Sequence, residues 1–280
     1  MPLSTIAPES IIYTDMDGTL LDHDTYSIDP AKALLEKLQV NGIPVIPNTS
    51  KTFAELLSLR KKHNLTGPFI VENGAAVYIP HGFLPKKPAG ALWSDGYWCK
   101  SFSSSRSHWL QLVEGMSKRF NGKYVGFSKM SLDDIADATG LALDDAKLSS
   151  QRQYGEPVLF TGNDEEKADF ISGLKIRGAT ILEGGRFIHV CGNVNKGMAM
   201  NWLTDIVKSQ FNLPASPRKI ALGDSGNDIA MLQEADIGIR IRTHVKPPPD
   251  IPNAKGEIIT STKVGPEGWS ETLSTLFTFS

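Results

Sequence analysis

The sequence predicts an α/β fold in which a doubly wound, mostly parallel sheet carries a second α/β module inserted into it. Three observations predict this. Over the first eighty residues, short apolar runs alternate with helical patterns, as in successive β-α-β units. That alternation stops past Pro80 and resumes from Asn193. Two acidic, glycine-bearing stretches, 15–18 and 223–228, each follow an apolar run and so fall at strand carboxyl ends, the edge where open α/β sheets bind ligands. The expected organisation is a Rossmann-like core from 1–82 and 192–280, interrupted by an α/β domain over 83–191.

Taken in order, Ile11, Ile12, Tyr13 and Thr14 form the first buried strand. Asp29-Pro30 reads as a cap followed by proline at the first helical position, opening a helix through Leu34, Leu35 and Leu38 to Asn41-Gly42. A second strand over 43–47 runs into Asn48-Thr49-Ser50-Lys51. Thr52 and Glu55 make a capping box for the next helix, which places Thr49 and Ser50 in the strand-to-helix turn. Their hydroxyls could hold an anion there or simply help to cap the helix. A third strand of the parallel core is expected over 69–71, then the turn Glu72-Asn73-Gly74-Ala75 and a hairpin partner over 77–79.

In the inserted module, residues 83–103 carry Pro85, Pro88, Gly90 and two tryptophans and receive no regular element. Helices are expected over 104–120, 131–139, 141–150 and 164–178, with strands over 123–127, 157–161, 179–182 and 186–191. Beyond it, Lys196-Gly197 opens a helix with apolar Met198, Trp202, Ile206 and Val207. Strands over 218–222 and 237–239 bracket a helix over 229–235. A closing helix over 266–277 turns Trp269, Leu273 and Leu276 inward.

Composition narrows the function. Of 280 residues 40% are hydrophobic, enough for a large core, and 29 basic against 31 acidic residues leave a net charge of -2. That balance speaks against a nucleic-acid partner, which calls for a basic face. Two cysteines, Cys99 and Cys191, show no zinc or disulfide spacing and suit a reducing, cytoplasmic setting. Residues 1–10 lack the pattern of a secretory leader, and no apolar run is long enough for a membrane span. Pro247-Pro248-Pro249 reads as a stiff surface loop.

The chemistry concentrates in a few residues. Asp15 and Asp17, one residue apart at a strand end, repel each other unless a cation lies near, and magnesium, a hard ion that takes oxygen ligands, suits them. Asp15 can then offer an oxygen to phosphorus while Asp17 carries a proton. An acidic turn or a fragment of a calcium loop is the plain alternative, but apolar Thr19-Leu20-Leu21 follows where a calcium loop would continue with ligands. In Gly223-Asp224-Ser225-Gly226-Asn227-Asp228, Asp224 is the expected metal ligand, supported by Asn227 and Asp228. Lys196 supplies the compact positive charge that a site crowded with carboxylates and phosphate needs.

Asp-x-Asp-Gly-Thr-Leu after an apolar strand resembles the first motif of the haloacid dehalogenase superfamily, whose members are mostly magnesium-dependent phosphatases acting through an aspartyl-phosphate. Thr49, Asn195-Lys196-Gly197-Met198 and the 223–228 stretch resemble its second, third and fourth motifs, in the right order. A module between the second and third resembles the α/β cap of the Cof-like branch. Asn48-Thr-Ser-Lys-Thr52, Arg152-Gln-Tyr-Gly-Glu-Pro157 and Glu183-Gly-Gly-Arg-Phe-Ile-His189 are similar to signatures of the mannosyl-3-phosphoglycerate phosphatase family, from which Gln153 and Gly155 depart.

The resemblance implies a magnesium site at Asp15, Asp17 (through its backbone carbonyl), Asp224 and Asp228. It implies catalytic roles for Asp15, Asp17, Thr49 and Lys196, with a sugar phosphate as the small-molecule partner. For the rest of such a substrate, Ser50, Lys51, Glu72, Asn73 and Asn227 are candidates in the core, and Arg152, Glu156 and Arg186 in the insert, each of which could equally form a surface ion pair. Glucosyl-3-phosphoglycerate or sucrose-6-phosphate hydrolysis and a phosphomannomutase activity are the enzymatic alternatives. A phosphate-accepting receiver domain is the non-enzymatic one, though such domains are shorter and carry no inserted module.

Overall fold

The computed structural model of the chain describes residues 8–184 and 186–279. In chain order the first stretch runs β1 (Ser10–Thr14), α1 (Asp29–Val40), β2 (Val45–Pro47), α2 (Phe53–His63), β3 (Phe69–Val71), β4 (Ala76–Pro80), β5 (Leu92–Ser94) and β6 (Tyr97–Ser101). Next come α3 (Arg106–Glu114), β7 (Tyr124–Gly126), α4 (Leu132–Thr139), α5 (Leu143–Ser150), β8 (Gly155–Phe160), α6 (Asp164–Ile176), β9 (Thr180–Gly184) and β10 (Phe187–Cys191). The last stretch holds α7 (Lys196–Gln210), β11 (Arg218–Gly223), α8 (Ile229–Glu234), β12 (Ile237–Arg242), β13 (Glu257–Val264) and α9 (Gly265–Leu276). Two compact units result: the described residues through Ser50, with Arg60–Lys100 and from Asn195 onward, form one, and Lys51–Leu59 with Ser101–Val194 the other. Gly185, within the third family signature, and the residues before Pro8 lie outside the described residues.

The first unit is built on a five-stranded sheet in the order β13-β12-β11-β1-β2, with every neighbouring pair parallel. Ile11, Ile12 and Tyr13 in β1 and Ile220, Ala221 and Leu222 in β11 are buried on both faces, as central parallel strands must be. From β1 the chain steps to β2 on one side, whereas β11, β12 and β13 step away on the other. The order therefore reverses between β1 and β11. Loops leaving the carboxyl ends diverge at such a point and open a crevice.

Trp269 of α9 is fully buried, a contribution of about 4 kcal/mol from apolar area alone, and its Nε1 donates to Thr14 Oγ1 at 3.1 Å. Thr14 Oγ1 in turn donates to the Asp15 carbonyl at 2.8 Å, so the closing helix is pinned to the end of β1. Edge strand β13 follows only the apolar pair Ile258-Ile259 with polar Thr260, Ser261, Thr262 and Lys263, a pattern from which no strand is expected. Helix α1 begins one residue earlier than a cap at Asp29 implies: Ile28 is the N-cap and Asp29 N donates to Ser27 Oγ.

A second sheet in this unit has the order β3-β4-β6-β5. Here the structure differs from the expected third core strand. β2 ends at Pro47 and β3 meets it through a single bridge, Asn48 to Ile70, while the expected hairpin forms, with β3 antiparallel to β4. Residues 92–101, given no element from sequence, form a hairpin whose turn residues Asp95 (φ 51°) and Gly96 (φ 85°) both take the left-handed conformation of a tight two-residue turn. Phe69 stacks on Tyr78 with ring centres 5.3 Å apart, and the Arg60 guanidinium lies 4.4 Å above Phe69.

The second unit is an antiparallel sheet in the order β7-β8-β10-β9. Alternation along β10 sends Ile188 and Val190 into a core with Trp109 and Val113 of α3 and Phe170 and Leu174 of α6. Phe187 faces the other way, against Phe127, Ile135 and Ala146. Capping boxes start α4 at Ser131 and Asp134 and α6 at Asn163 and Glu166. The box expected at Thr52 and Glu55 forms as well, with Thr52 N donating to Glu55 at 2.7 Å and Glu55 N to Thr52 Oγ1 at 3.1 Å. Among the described residues no helix is long and apolar enough to cross a membrane.

Candidate active site

Asp15 follows the last residue of β1 and is buried. Its backbone N–H donates to the Leu222 carbonyl of β11 at 2.9 Å, so strand pairing fixes the residue that carries the carboxylate. Two residues on, Asp17 lies half-buried in a turn closed by Thr19 and Leu21, whose N–H groups donate to the Met16 carbonyl. Gly18, at φ 72°, passes over the Asp224 side chain. A Cβ there would stand 3.3 Å from Asp224 Oδ2, so the turn of the first motif and the carboxylate of the fourth are in contact.

Lys196 sits in the first turn of α7 with its side chain wholly buried. Nζ donates to Asp15 Oδ1 at 2.7 Å and to Asp228 Oδ1 at 2.6 Å. Burial alone would drive off the proton, but Asp15 and Asp228 more than offset it and push the ammonium above its usual range. The Asp15 carboxyl is pushed up to about 7, by burial first and then by Asp228, with Lys196 opposing.

Asp228 is fully engaged. Besides Lys196, its Oδ2 accepts from the backbone N–H groups of Asp224 at 3.0 Å and Ser225 at 2.9 Å, which locks the glycine-rich turn after β11. Asp224 is less committed. Its carboxyl is raised by burial and by Asp228, and Lys246 approaches Oδ2 at 3.1 Å.

Carboxylate oxygens of Asp15, Asp224 and Asp228 lie within 4.8 Å of one another. Such an all-oxygen set, buried and with the Asp15 and Asp224 carboxyls raised by burial first and then by Asp228, fits a hard divalent cation. Asp15 and Asp224, from adjacent strands, are the natural pair to hold it, with the Asp17 turn beside them; Asp228 is occupied in orienting Lys196 and the loop.

Thr49 follows β2 on the other flank of β1 and is fully buried. Its N–H donates to the Ile70 carbonyl and its carbonyl accepts from Asn73 N–H at 2.9 Å. Ser50 is half-buried beside it. Glu72, Asn73 and Gly74 take three successive left-handed conformations, φ 47°, 60° and 89°. This costly backbone is held because a Cβ on Gly74 would stand 2.2 Å from the Asn195 carbonyl: the turn packs directly on the start of the lysine-bearing helix. Asn73 Oδ1 accepts from Asn227 Nδ2 at 2.9 Å, joining two residues chosen separately from sequence.

Lys51, Arg152, Glu156 and Arg186 belong to the second unit. Lys51 lies 4.0 Å from Glu55, Arg152 is half-buried and Arg186 exposed. Glu156 is buried, accepting from Arg106 Nε at 2.7 Å and Ser128 N at 2.8 Å, so it is an internal counter-ion and not an exposed acid. His189, at the end of the third signature, is pushed down to about 4 by burial and by Arg152. Two residues had no assignment from sequence. Asn48 Nδ2 donates to the Lys196 carbonyl at 3.0 Å, tying the end of β2 to α7, and Lys246 comes from the loop stiffened by Pro247, Pro248 and Pro249.

A family model described as haloacid dehalogenase-like hydrolase matches residues 12–86. A glucosyl-3-phosphoglycerate/mannosyl-3-phosphoglycerate phosphatase of Methanococcoides burtonii is 34% identical over 270 residues, covering 95% of this chain and 96% of its own. A protein of the same name from Persephonella marina is 35% identical over 265 residues, covering 94% and 95%. Among solved structures, a haloacid dehalogenase-like hydrolase from Bacteroides thetaiotaomicron aligns with a TM-score of 0.66 at 15% identity over 96% of this chain and 99% of that one, a likeness of fold.

Proposed function

This chain belongs to the haloacid dehalogenase superfamily, within the mannosyl-3-phosphoglycerate phosphatase family, and is a phosphoric monoester hydrolase; from that premise we propose that it is magnesium-dependent, works through an aspartyl-phosphate on Asp15, and hydrolyses mannosyl-3-phosphoglycerate to mannosylglycerate and phosphate in the cytoplasm. One observation carries the chemistry: the buried Lys196 ammonium bridges Asp15 and Asp228 while Asp224 stands on the adjacent strand.

In this reading Lys196 holds Oδ1 of Asp15 and leaves Oδ2 to attack phosphorus in line. Asp17 gives its proton to the departing glyceryl oxygen. A water then attacks the aspartyl-phosphate, Asp17 takes the proton, and Asp15 is regenerated with release of inorganic phosphate. Thr49 and Ser50 hold non-bridging oxygens alongside Lys196. When bound at Asp15, Asp224 and the Asp17 turn, magnesium would offset the charge on the transferring phosphoryl group. The carboxylate and hydroxyls of the substrate call for a cationic fork and amides, which we assign to Arg152 and Arg186 of the 83–191 insert and to Asn73, Asn227, Glu72 and Lys51.

The glucosyl compound is the second reading, because the names of both relatives cover it. Phosphate release from mannosyl-3-phosphoglycerate, glucosyl-3-phosphoglycerate and sucrose-6-phosphate decides. A higher kcat/KM on the mannosyl compound supports the proposal, and a higher one on the glucosyl compound supports the second reading. A preference for sucrose-6-phosphate, or phosphoryl transfer without release, would overturn both.

A further inference from the structure

The loop between β12 and β13 contains the three prolines and has no part in the reaction as proposed. It is anchored at both ends of its first half. Lys246 and Thr243 close a turn, with Lys246 N donating to Thr243 Oγ1 and Thr243 Oγ1 to the Lys246 carbonyl, and Arg240 donates to the Pro249 carbonyl at 3.3 Å. Prolines 247–249 stiffen the span between these two anchors. The outcome is a lysine delivered to the carboxyl edge of the sheet, with Nζ 3.1 Å from Asp224 Oδ2.

Two lysines thus serve one carboxylate cluster in contrasting ways. Lys196 has a wholly buried side chain and two carboxylate partners, a fixed cation. The Lys246 side chain is 44% exposed and, among the described residues, pairs with Asp224, so its ammonium can exchange the carboxylate for water. It also occupies the oxygen that lies against Gly18, on the side of Asp224 that faces the first motif.

We infer that Lys246 is a built-in occupant of the cation position at Asp224, pairing with the carboxylate in the metal-free protein and withdrawing to solvent when a divalent cation enters. This rests on the reading of Asp224 as a metal ligand. Without such a cation, the apo site would leave a largely buried carboxylate beside Asp15 and Asp228 with no positive partner of its own. Because the Lys246 end of the pair is half-exposed and can withdraw to water, the competition is mild, and removing Lys246 tightens ion binding about threefold.

Isothermal titration of Mg2+ into the metal-free, full-length protein tests this on five proteins: wild type, Lys246→Met, Lys246→Arg, Asp224→Asn, and Lys255→Met, which removes a charge from the far end of the same loop, where it pairs with Glu234. Lys246→Met should bind about threefold more tightly than wild type and show a larger Mg2+-induced rise in Tm. Lys246→Arg and Lys255→Met should match wild type. Equal or weaker binding by Lys246→Met, or the same gain in Lys255→Met, overturns the inference while loss of binding in Asp224→Asn leaves the metal reading standing. If wild type and Lys246→Met both fail to take up Mg2+, the metal reading falls and the inference with it.

Discussion

Replacing Lys196 with Met keeps most of the volume and removes the charge. In the native site the ammonium supplies hydrogen bonds of 2.7 and 2.6 Å to two carboxylates whose side chains are 7% and 0% exposed. Deleting one partner of a buried pair costs about 3–5 kcal/mol, and two carboxylates lose their partner here, so the upper end, about 5 kcal/mol near pH 8, is expected. The pH dependence has a definite sign. A carboxyl whose folded pKa lies above the unfolded value of about 3.9 binds more protons in the folded state, so stability falls as pH rises through that window. Asp15 already stands at about 7 with Lys196 present, through burial and Asp228. Without the ammonium the window widens upward, so the deficit should shrink toward pH 5 and grow toward pH 8. Each further unit of pKa adds about 1.4 kcal/mol to that difference. Urea unfolding followed by circular dichroism, in EDTA at pH 5 and pH 8, measures it. A loss below about 1 kcal/mol at pH 8, or the same loss at both pH values, would show that the Lys196 bridge does not neutralise the cluster.

Three other outcomes are expected. Asp15→Asn should abolish phosphate release with an unchanged far-ultraviolet spectrum; turnover near the parent rate would rule Asp15 out as nucleophile. Because the Asp15 carboxyl is pushed up to about 7, Mg2+ must displace its proton, so apparent affinity should fall about tenfold per pH unit below 7. Calorimetry in buffers of different ionisation enthalpy should count close to one proton released at pH 6, and a count of zero would refute it. Gly74→Ala, at φ 89° with a Cβ 2.2 Å from the Asn195 carbonyl, should cost about 2 kcal/mol or more in chemical unfolding and lower activity through displacement of the α7 start.

The ends of strands were legible where an apolar run stops at a residue with chemistry: Asp15, Thr49 and Asp224 were each read from such a break, and each stands at the carboxyl edge of the parallel sheet. Pairing across the sheet is legible only through the site: no local signal puts β1 beside β11, but Asp15 and Asp224 can share one ion only from adjacent strands, and β1 does pair with β11. Elements without apolar periodicity escaped as well. Strand β13 is an edge strand with polar Thr260 to Lys263, and the 92–101 hairpin declares itself only through Asp95-Gly96, whose backbone conformation outweighs the irregular look of the tryptophans around it. Glu156 shows the limit for side chains, since an acid in a strand reads the same from sequence whether it meets solvent or, as here, Arg106. Lys246 shows it for loops, where reach depends on anchors such as Arg240 and Thr243 that lie at no characteristic spacing.

Adjacency of β1 and β11 also explains why the site tolerates a long insert. Asp15 and Asp224 are far apart in sequence, yet their separation in space is set by one step between neighbouring strands, about 4.8 Å, while Lys196 is placed by the seating of α7 against the 72–74 turn. A single hard cation can span carboxylates at that pitch, whereas acids two strands apart, at about 10 Å, could not share one. The divergence of connections between β1 and β11 is therefore a requirement of the chemistry as well as a feature of topology: it brings the ends of two buried strands together. Asp228 has both oxygens in hydrogen bonds, to Lys196 and to the turn that aims Asp224, alongside its place in the carboxylate cluster. Its charge also acts indirectly, adding to Asp15 in holding the proton on Lys196 and to burial in raising the Asp15 carboxyl.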